Sequence, residues 1–211
     1  TGAEVTAMER VAGQWSLQTK QGTWAAQTVI NAAGAWADVL GQMAGAERIG
    51  LVPKRRTALM VDAPDGYDTK SLPLVIDVQE QFYLKPDAGK LLISPANEDP
   101  EHPCDVQPDE MDIAICVDRI ERAFDISVRK VERPWAGLRS FVADKSPVAG
   151  FSDIIDGFYW LAGQGGYGIQ SAPALAQYAA AEILGEPIPA HILAQRLDPQ
   201  SIRPGRDGIG A

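Results

Sequence analysis

The sequence predicts an α+β fold made of two parts. Short β-rich runs open the chain, and a second group of strands with a hairpin connection occupies its middle. A strand, a glycine cluster and a helix follow in the last third. The middle group also carries one amphipathic helix, as expected where a helix covers one face of an antiparallel or mixed sheet.

The first part begins with three β-rich runs and continues into a helix. The runs cover residues 5–8, 15–19 and 24–30. After Gly34 the apolar side chains recur at helical spacing, and Gly45 is expected to end that helix.

The middle of the chain is expected to form a sheet covered by a single helix. Strands are predicted at residues 56–61, 74–77, 82–85, 90–94 and 127–132. Pro86-Asp-Ala-Gly89 has the composition of a hairpin connection. The helix begins near Asp109, and its apolar face comprises Ile113, Cys116, Val117, Ile120 and Phe124.

The last third returns to strands and glycines. Strands are predicted at residues 138–142 and 158–162, and a helix follows the glycine cluster as far as about residue 184. After Pro187 the chain is predicted to be irregular, with a loose tail at residues 203–211.

Composition argues against several classes of protein. The net charge of −9 disfavours a nucleic-acid partner, which needs a basic surface. No apolar run reaches the length of a transmembrane segment. Cys104 and Cys116 have no metal-site spacing, so we expect no metal. They are interpreted as thiols in a reducing compartment, which favours the cytoplasm.

The segment Tyr159–Ser171 is the most informative one. A glycine-rich turn before a helix lets a ligand approach backbone N–H groups, and the helix end carries partial positive charge. Gly163-Gln-Gly165-Gly-Tyr-Gly168 also matches G-x-G-x-x-G, the NAD fingerprint. That alternative needs an acidic residue about twenty positions on, at the end of a second strand. Glu182 and Glu186 have roughly that spacing, but Glu182 lies in the helical pattern and Pro-Ile-Pro follows Glu186. A tight turn without a ligand is the other alternative.

Two further segments join the glycine cluster in a specific order. They are Thr28-Val-Ile-Asn-Ala-Ala-Gly-Ala-Trp-Ala-Asp38 and Arg133-Pro-Trp-Ala-Gly-Leu-Arg-Ser-Phe-Val-Ala-Asp144. Together they resemble the C-terminal part of the FAD-dependent D-amino-acid oxidase/dehydrogenase superfamily, which includes glycine and sarcosine oxidases. The resemblance is strongest to bacterial D-arginine dehydrogenases, through Pro53-Lys-Arg-Arg56, Phe82-Tyr-Leu-Lys-Pro-Asp-Ala-Gly89 and Ser94-Pro-Ala-Asn97.

The resemblance implies a division of the chain and a partner for it. Residues 1–47 and 133–195 would be part of an FAD-binding domain, residues 48–132 a substrate-binding domain, and residues 196–211 a tail. In this superfamily the G-x-G-x-x-G that grips FAD lies at the N-terminus, and none precedes Thr1. The expected partner is therefore the missing N-terminal half of the enzyme, and binding of flavin by this chain alone is left open.

The implied reaction is hydride transfer from the Cα of an amino-acid substrate to flavin N5, giving an imino acid. Arg139 would bind the substrate carboxylate, with an ion pair to Asp144 as its structural alternative. Tyr83 would donate to the same carboxylate, unless it is a core residue. Arg56 would face inward by family alignment, unless it belongs to a solvated basic pair with its neighbour. The backbone carbonyl near Gly166 would accept from the substrate amine.

The resemblance also implies a set of residues around the cofactor. The residues expected to lie along FAD are Val5, Ala33, Gly34, Gly165, Gly166, Tyr167, Gly168, Ile169 and Gln170. For Val5, whose backbone would meet the adenine, a core role is an equal alternative. The rival functions are a sarcosine- or glycine-type amine oxidase and a fragment that binds no flavin.

Overall fold

The structure is a computed structural model that describes residues 1–66 and 68–210, and it divides into two compact units. Unit 1 comprises Thr1–Pro53 and Arg139–Ala211, and unit 2 comprises Lys54–Leu138. The sequence placed the boundaries a few residues earlier, at 47/48 and 132/133. Both units combine strands with helices, so the predicted α+β class is confirmed.

In chain order the strands are β1 (Val5–Val11), β2 (Gln14–Thr19), β3 (Gly22–Ala26), β4 (Val29–Asn31), β5 (Val52–Val61), β6 (Val75–Ile76), β7 (Tyr83–Asp87), β8 (Lys90–Ser94), β9 (Asp99–Pro100), β10 (Val131–Phe141), β11 (Val148–Phe151) and β12 (Phe158–Ala162). The helices are α1 (Ala37–Ala44), α2 (Glu110–Ala123), α3 (Gly168–Leu184) and α4 (Ala190–Leu193), with 3₁₀ turns at Gly34–Trp36 and Pro199–Ile202.

Unit 1 contains two three-stranded sheets. β1, β2 and β3 form an antiparallel meander, and the second sheet has the order β11-β12-β4, in which β4 runs parallel to β12. The predicted run at 24–30 is therefore two strands, because its first half pairs with β2 and its second half pairs with β12. Trp15, Phe158 and Trp160 form the centre of the core.

α1 and α3 cover opposite faces of the β12 sheet. Successive side chains of a strand point to opposite faces, and Tyr159 and Trp160 are neighbours in β12. Trp160 faces α1, where a Cβ on Gly41 would collide with the indole. Tyr159 faces α3, and its hydroxyl donates to Glu182 at 2.8 Å.

Unit 2 is built on one sheet with the strand order β10-β5-β8-β7-β6, and β9 pairs with β5. α2 packs on one face, where Leu59, Leu84 and Ile93 of the sheet share a core with Cys116 and Ile120. Burial raises the pKa of the Cys116 thiol to about 12, so this side chain acts as a small apolar group. β7 and β8 form the predicted hairpin.

β10 corrects the prediction of separate strands at 127–132 and 138–142. It is one strand of 11 residues, and Pro134 lies inside it. A proline cannot donate a hydrogen bond to a sheet, so the local pattern around Pro134 does not indicate a continuous strand. β10 is the edge strand of the unit 2 sheet, and proline is tolerated at edges.

Residues 196–210 pack within unit 1 and do not form a loose tail, and Ala211 lies outside the described residues. Ile202 is buried, and Ile209 packs against the core around Trp160. The Arg206 side chain, only 8% exposed, binds Asp144 through two hydrogen bonds of 2.7 and 2.9 Å. The polar composition of this segment did not predict its packing, because the segment is held by ion pairs and by single apolar contacts.

None of the described helices is long and apolar enough to cross a membrane.

Candidate functional site

The first candidate site lies where β4 and β12 end. Because the two strands are parallel, their carboxyl ends meet at the same edge of the sheet. α1 follows β4 on one face and α3 follows β12 on the other. Adjacent parallel strands whose connections leave to opposite faces create a crevice at their carboxyl ends, where open α/β sheets bind their ligands.

On the β12 side, the crevice is bounded by the predicted glycine turn. Gly163 and Gly165 have φ values of +70° and +54°, which favour glycine. The N–H of Gly165 donates to the carbonyl of Ser140 at 2.9 Å. A Cβ on Gly165 would collide with the Phe141 ring. The turn is therefore fixed on β10 by a backbone bond and by an aromatic ring that leaves no space for a side chain.

Arg139 lies against the same turn. A Cβ on Gly166 would lie 3.0 Å from Nη1 and 3.5 Å from Cζ of its guanidinium. The structure thus brings together two residues that the sequence placed in one site. The alternative ion pair with Asp144 is wrong, because Arg206 occupies that carboxylate. Among the residues that the structure describes, no hydrogen-bond or ion-pair partner of the half-buried Arg139 guanidinium is found.

α3 begins at the end of the turn without a side-chain cap. Its N-cap is Tyr167, whose side chain makes no capping hydrogen bond. The N–H of Ser171 donates to the Tyr167 carbonyl. The first N–H groups of a helix have no partner within the helix, and they carry partial positive charge. Ile169 is 94% exposed and Gln170 is also exposed, so the first turn of α3 has an uncovered surface.

On the β4 side, the crevice is bounded by the Asn-Ala-Ala-Gly turn. The buried Asn31 side chain donates to the Ala37 carbonyl at 2.8 Å and accepts from the Ala33 N–H at 3.3 Å. Gly34 has φ +57°, and a Cβ built there would meet nothing within 4 Å. The turn is held open, and a ligand can approach its backbone closely.

The second candidate site lies on unit 2. Arg55 donates to Asp112 of α2, so the neighbouring side chain of Arg56 leaves β5 on the opposite face. Leu84 packs with the α2 core, so Tyr83 also projects away from α2. Both predicted substrate residues of this unit therefore lie on one face of the sheet. Arg56 donates from Nε to the Asn97 carbonyl at 2.8 Å.

The DAO family, described as FAD dependent oxidoreductase, matches residues 1–182. The chain belongs to this family. Both candidate sites lie within the matched segment.

The chain is similar to several curated proteins and to several solved structures. It is 26% identical over 172 residues to FAD-dependent oxidoreductase domain-containing protein 1 of Xenopus laevis, covering 74% of this chain and 34% of that protein. Human mitochondrial dimethylglycine dehydrogenase is 31% identical over 96 residues, which are 44% of this chain and 11% of that protein. The structure of L-proline dehydrogenase from P. horikoshii superposes with a TM-score of 0.78 at 22% identity, over 96% of this chain and 53% of the other. Glycine oxidase from Geobacillus kaustophilus gives 0.75 at 24% identity, over 88% and 49%.

These comparisons confirm the superfamily and its cofactor, FAD, but not the specific likeness to D-arginine dehydrogenases. The chain spans about a third of the length of its first curated relatives and about half of the length of the solved chains that it matches. The NAD alternative is wrong. In the described residues that follow α3, up to 210, there are α4 and a 3₁₀ turn but no second strand. Glu182 lies inside α3 with Tyr159 as its partner.

FAD fits what the crevice offers. The uncapped first turn of α3 and the open turn at Gly34 present backbone to a ligand. The described residues contain no group of acids, histidines and cysteines that could hold a metal ion. Val5 packs at the margin of the unit 1 core. The individual cofactor contacts of Val5, Ala33, Gly34 and Gly165–Gln170 stay predictions.

The sequence pattern did not single out three residues that shape the crevice. Asn31 shapes the β4 turn, Ser140 anchors the glycine turn, and Phe141 excludes a side chain at position 165. All three lie inside segments that carried the resemblance. The signal was present, but their contacts depend on which strands become neighbours.

Proposed function

We propose that this chain is one part of a flavoenzyme that oxidises D-amino acids to imino acids, which then hydrolyse to keto acids. The observation that carries the proposal is the guanidinium of Arg139, which is half-buried beside the glycine turn and has no partner among the described side chains. Partial removal of a charge from water is unfavourable unless the charge is paired. A planar guanidinium matches a carboxylate through two parallel hydrogen bonds, so the substrate carboxylate is the proposed partner.

The remaining roles follow from this position. When bound, FAD supplies the acceptor for the hydride of the substrate Cα. Arg139 holds the carboxylate and so fixes the direction of the Cα–H bond. The Gly166 carbonyl accepts from the substrate amine. The first N–H groups of α3, at Gly168–Gln170, stabilise negative charge at the flavin edge.

Tyr83 and Arg56 contribute from unit 2. Their shared face of the sheet supports a common role in binding the carboxylate, with the phenol as a donor and the guanidinium as a cation. The preference for D-amino acids, and for a broad or cationic range of them, comes from the resemblance to D-arginine dehydrogenases.

The proposed partner of the chain is the rest of the flavoenzyme. Parallel strands are normally covered on both faces, yet Ile30 of β4 is 48% exposed. Ile169 on the first turn of α3 is 94% exposed. Both uncovered apolar side chains lie beside the crevice, which supports packing of the FAD-gripping part of the enzyme at this place.

The first experiment is a visible spectrum of the purified chain and of the full-length enzyme. We expect flavin bands in the full-length enzyme. We then add D-arginine, D-alanine, glycine, sarcosine or L-proline to this enzyme without oxygen. The compounds that bleach its flavin bands identify the substrate class. Bleaching by D-amino acids supports the proposal, whereas bleaching by sarcosine or glycine alone supports the amine-oxidase alternative. A full-length enzyme that purifies without flavin would refute both.

The second experiment removes the Arg139 guanidinium from the flavin-loaded enzyme. Arg139→Ala should raise KM about a hundredfold, in the range found when one partner of a buried charge pair is truncated. FAD should stay bound. Arg133→Ala removes an exposed arginine of the same strand and should leave KM unchanged. Equal KM values for the two variants would refute the role of Arg139 in binding the carboxylate.

We also propose a cytoplasmic location. Cys104 and Cys116 are not joined in a disulfide, as is usual in a reducing compartment. Fractionation of cells that express the full-length enzyme tests this, and recovery of the enzyme outside the cytoplasm would contradict it.

A further inference from the structure

The geometry points to Asn97 as the residue that positions Arg56, and we propose this role for it. The inference rests on the proposed function, in which Arg56 helps to bind the substrate carboxylate. Asn97 follows β8 in the loop that turns at Ala96, where φ is +53°. The β5 residues beside it are Arg56 and Thr57, and Asn97 bonds to both.

The Asn97 side chain bonds to two different elements of unit 2. Its Oδ1 accepts from the backbone N–H of Thr57 at 2.8 Å. Its Nδ2 donates to Asp112 Oδ2 at 2.9 Å, and it also reaches Asp99 at 3.1 Å. The N–H must donate and the carboxylate must accept, so the orientation of the amide is determined. Asn97 therefore ties β5 to the first turn of α2.

Asp112 gives this connection a rigid end. Its side chain is nearly buried, and the same Oδ2 atom accepts from Arg55 Nε at 2.9 Å and from Thr57 Oγ1 at 3.0 Å. Hydrogen bonds that involve ionised groups are stronger than neutral ones. Asp112 and Arg55 thus fix the amide from the α2 side of the sheet.

The backbone of Asn97 acts on the other side of the sheet. Its carbonyl accepts from Arg56 Nε at 2.8 Å, while Glu98 accepts from Arg56 Nη2 at 3.1 Å. Two acceptors on consecutive residues set the direction of the guanidinium. Because the amide fixes the carbonyl, a change in the Asn97 side chain should move Arg56 without touching it.

The sharpest variant is Asn97→Asp, which keeps the shape and the acceptor for Thr57. It replaces the donor to Asp112 by a second acceptor, so two carboxylates would face each other. In the flavin-loaded full-length enzyme we expect KM to rise roughly tenfold for the amino acid that bleaches the flavin, as for a small misplacement of a binding group. kcat should be unchanged, because Arg56 contributes binding to the ground state and the transition state alike. The dissociation constant of acetate, measured from the flavin spectrum, should rise by the same factor.

A double variant separates positioning from general damage. Asn97→Asp combined with Asp112→Asn again places an amide opposite a carboxylate and should return KM and the acetate constant part of the way towards wild type. The recovery is partial because Asp112 Oδ2 also accepts from Arg55 and Thr57, which an amide nitrogen cannot do. Glu121→Ala is the matched control, because it removes another side-chain acceptor of a backbone N–H, that of Val128, from the same unit. It should change neither constant.

The outcomes distinguish the two claims. If Arg56→Ala raises KM and Asn97→Asp does not, the role of Asn97 is refuted while the proposed function stands. If Asn97→Asp lowers only the melting temperature, its role is structural and the inference is likewise refuted. If Arg56→Ala itself leaves KM and acetate binding unchanged, Arg56 binds no carboxylate, and the claims for both residues are refuted.

Discussion

The two candidate sites of this chain are built from different materials. In unit 1 the site is mostly backbone, and its shape depends on the absence of side chains at Gly34, Gly165 and Gly166. In unit 2 the site residue Arg56 is held by side-chain and carbonyl acceptors, in a neighbourhood of paired charges around Asp112. The shape of the unit 1 site therefore depends on close packing, whereas the unit 2 site depends on the pairing of charges.

This difference predicts how each site responds to mutation. Close packing has no alternative arrangement, because protein interiors are nearly as dense as organic crystals. A paired charge can exchange partners, and Arg55 illustrates this with Asp99, Glu101 and Asp112 all within ion-pair distance. We therefore expect the largest losses of stability in the glycine turn of unit 1.

Gly165→Ala should have the largest effect. Its φ of +54° costs a substituted residue about 1–2 kcal/mol, and the collision with Phe141 adds about 1–3 kcal/mol of overpacking. The expected loss in the free energy of unfolding is about 3 kcal/mol, measured by urea denaturation.

Gly89→Ala in unit 2 is the matched control for that change. Gly89 has φ +79°, but a Cβ there would meet nothing within 4 Å. Its loss should be about 1 kcal/mol, the conformational part alone. Phe141→Leu should recover part of the loss in the Gly165→Ala background. Equal losses for the two alanine variants would break the contrast between the units.

Arg206→Ala tests the place where unit 1 also depends on an ion pair. The guanidinium is buried and Asp144 is 36% exposed, so we expect a loss of about 2 kcal/mol, less than for a fully buried pair. The hydrogen bond from Arg206 holds the pKa of the Asp144 carboxyl below its usual value, against the opposing effect of burial.

The pH dependence of that loss follows from the sign of the shift. A carboxyl with a lowered folded pKa contributes stability above its unfolded pKa of about 3.9, and the contribution disappears as the pH falls through the folded value. The difference between wild type and Arg206→Ala should therefore be constant from neutral pH to about pH 5 and shrink below about pH 4. A difference that persists unchanged in acid would show that lost packing, and not the ion pair, is the cause.

Local patterns in the sequence predicted most elements of the fold. The β7–β8 hairpin, α2 and the β12–turn–α3 segment depend on contacts between residues close in sequence. β10 could not be predicted as one strand, because an edge position that tolerates Pro134 is decided by the order of strands in the sheet. The packing of the last residues was missed for a similar reason, since Arg206 finds Asp144 62 residues away in sequence.

The candidate site shows the same limit. The residue types and the glycine spacing predicted a ligand turn, and the resemblance selected Arg139. The backbone bond from Gly165 to Ser140 and the contact with Phe141 require that β10 lie beside the turn. In the same way, the choice between Arg55 and Arg56 depended on the position of α2 relative to β5.

Gly166→Ala should have the smallest energetic effect and the most specific functional one. Gly166 does not have a positive φ, and the three atoms nearest to a Cβ there all belong to the flexible Arg139 side chain, with Nη1 at 3.0 Å. The guanidinium can shift, so the stability should hardly change. Because that shift moves the proposed carboxylate clamp, KM should rise about tenfold, or about 1.4 kcal/mol. Gly137→Ala adds a methyl group to the same strand as Arg139, where a Cβ meets nothing within 4 Å, and should leave KM unchanged. If Gly166→Ala lowers stability as much as Gly165→Ala and leaves KM unaltered, the turn serves packing alone, and unit 1 contains no site of the kind proposed.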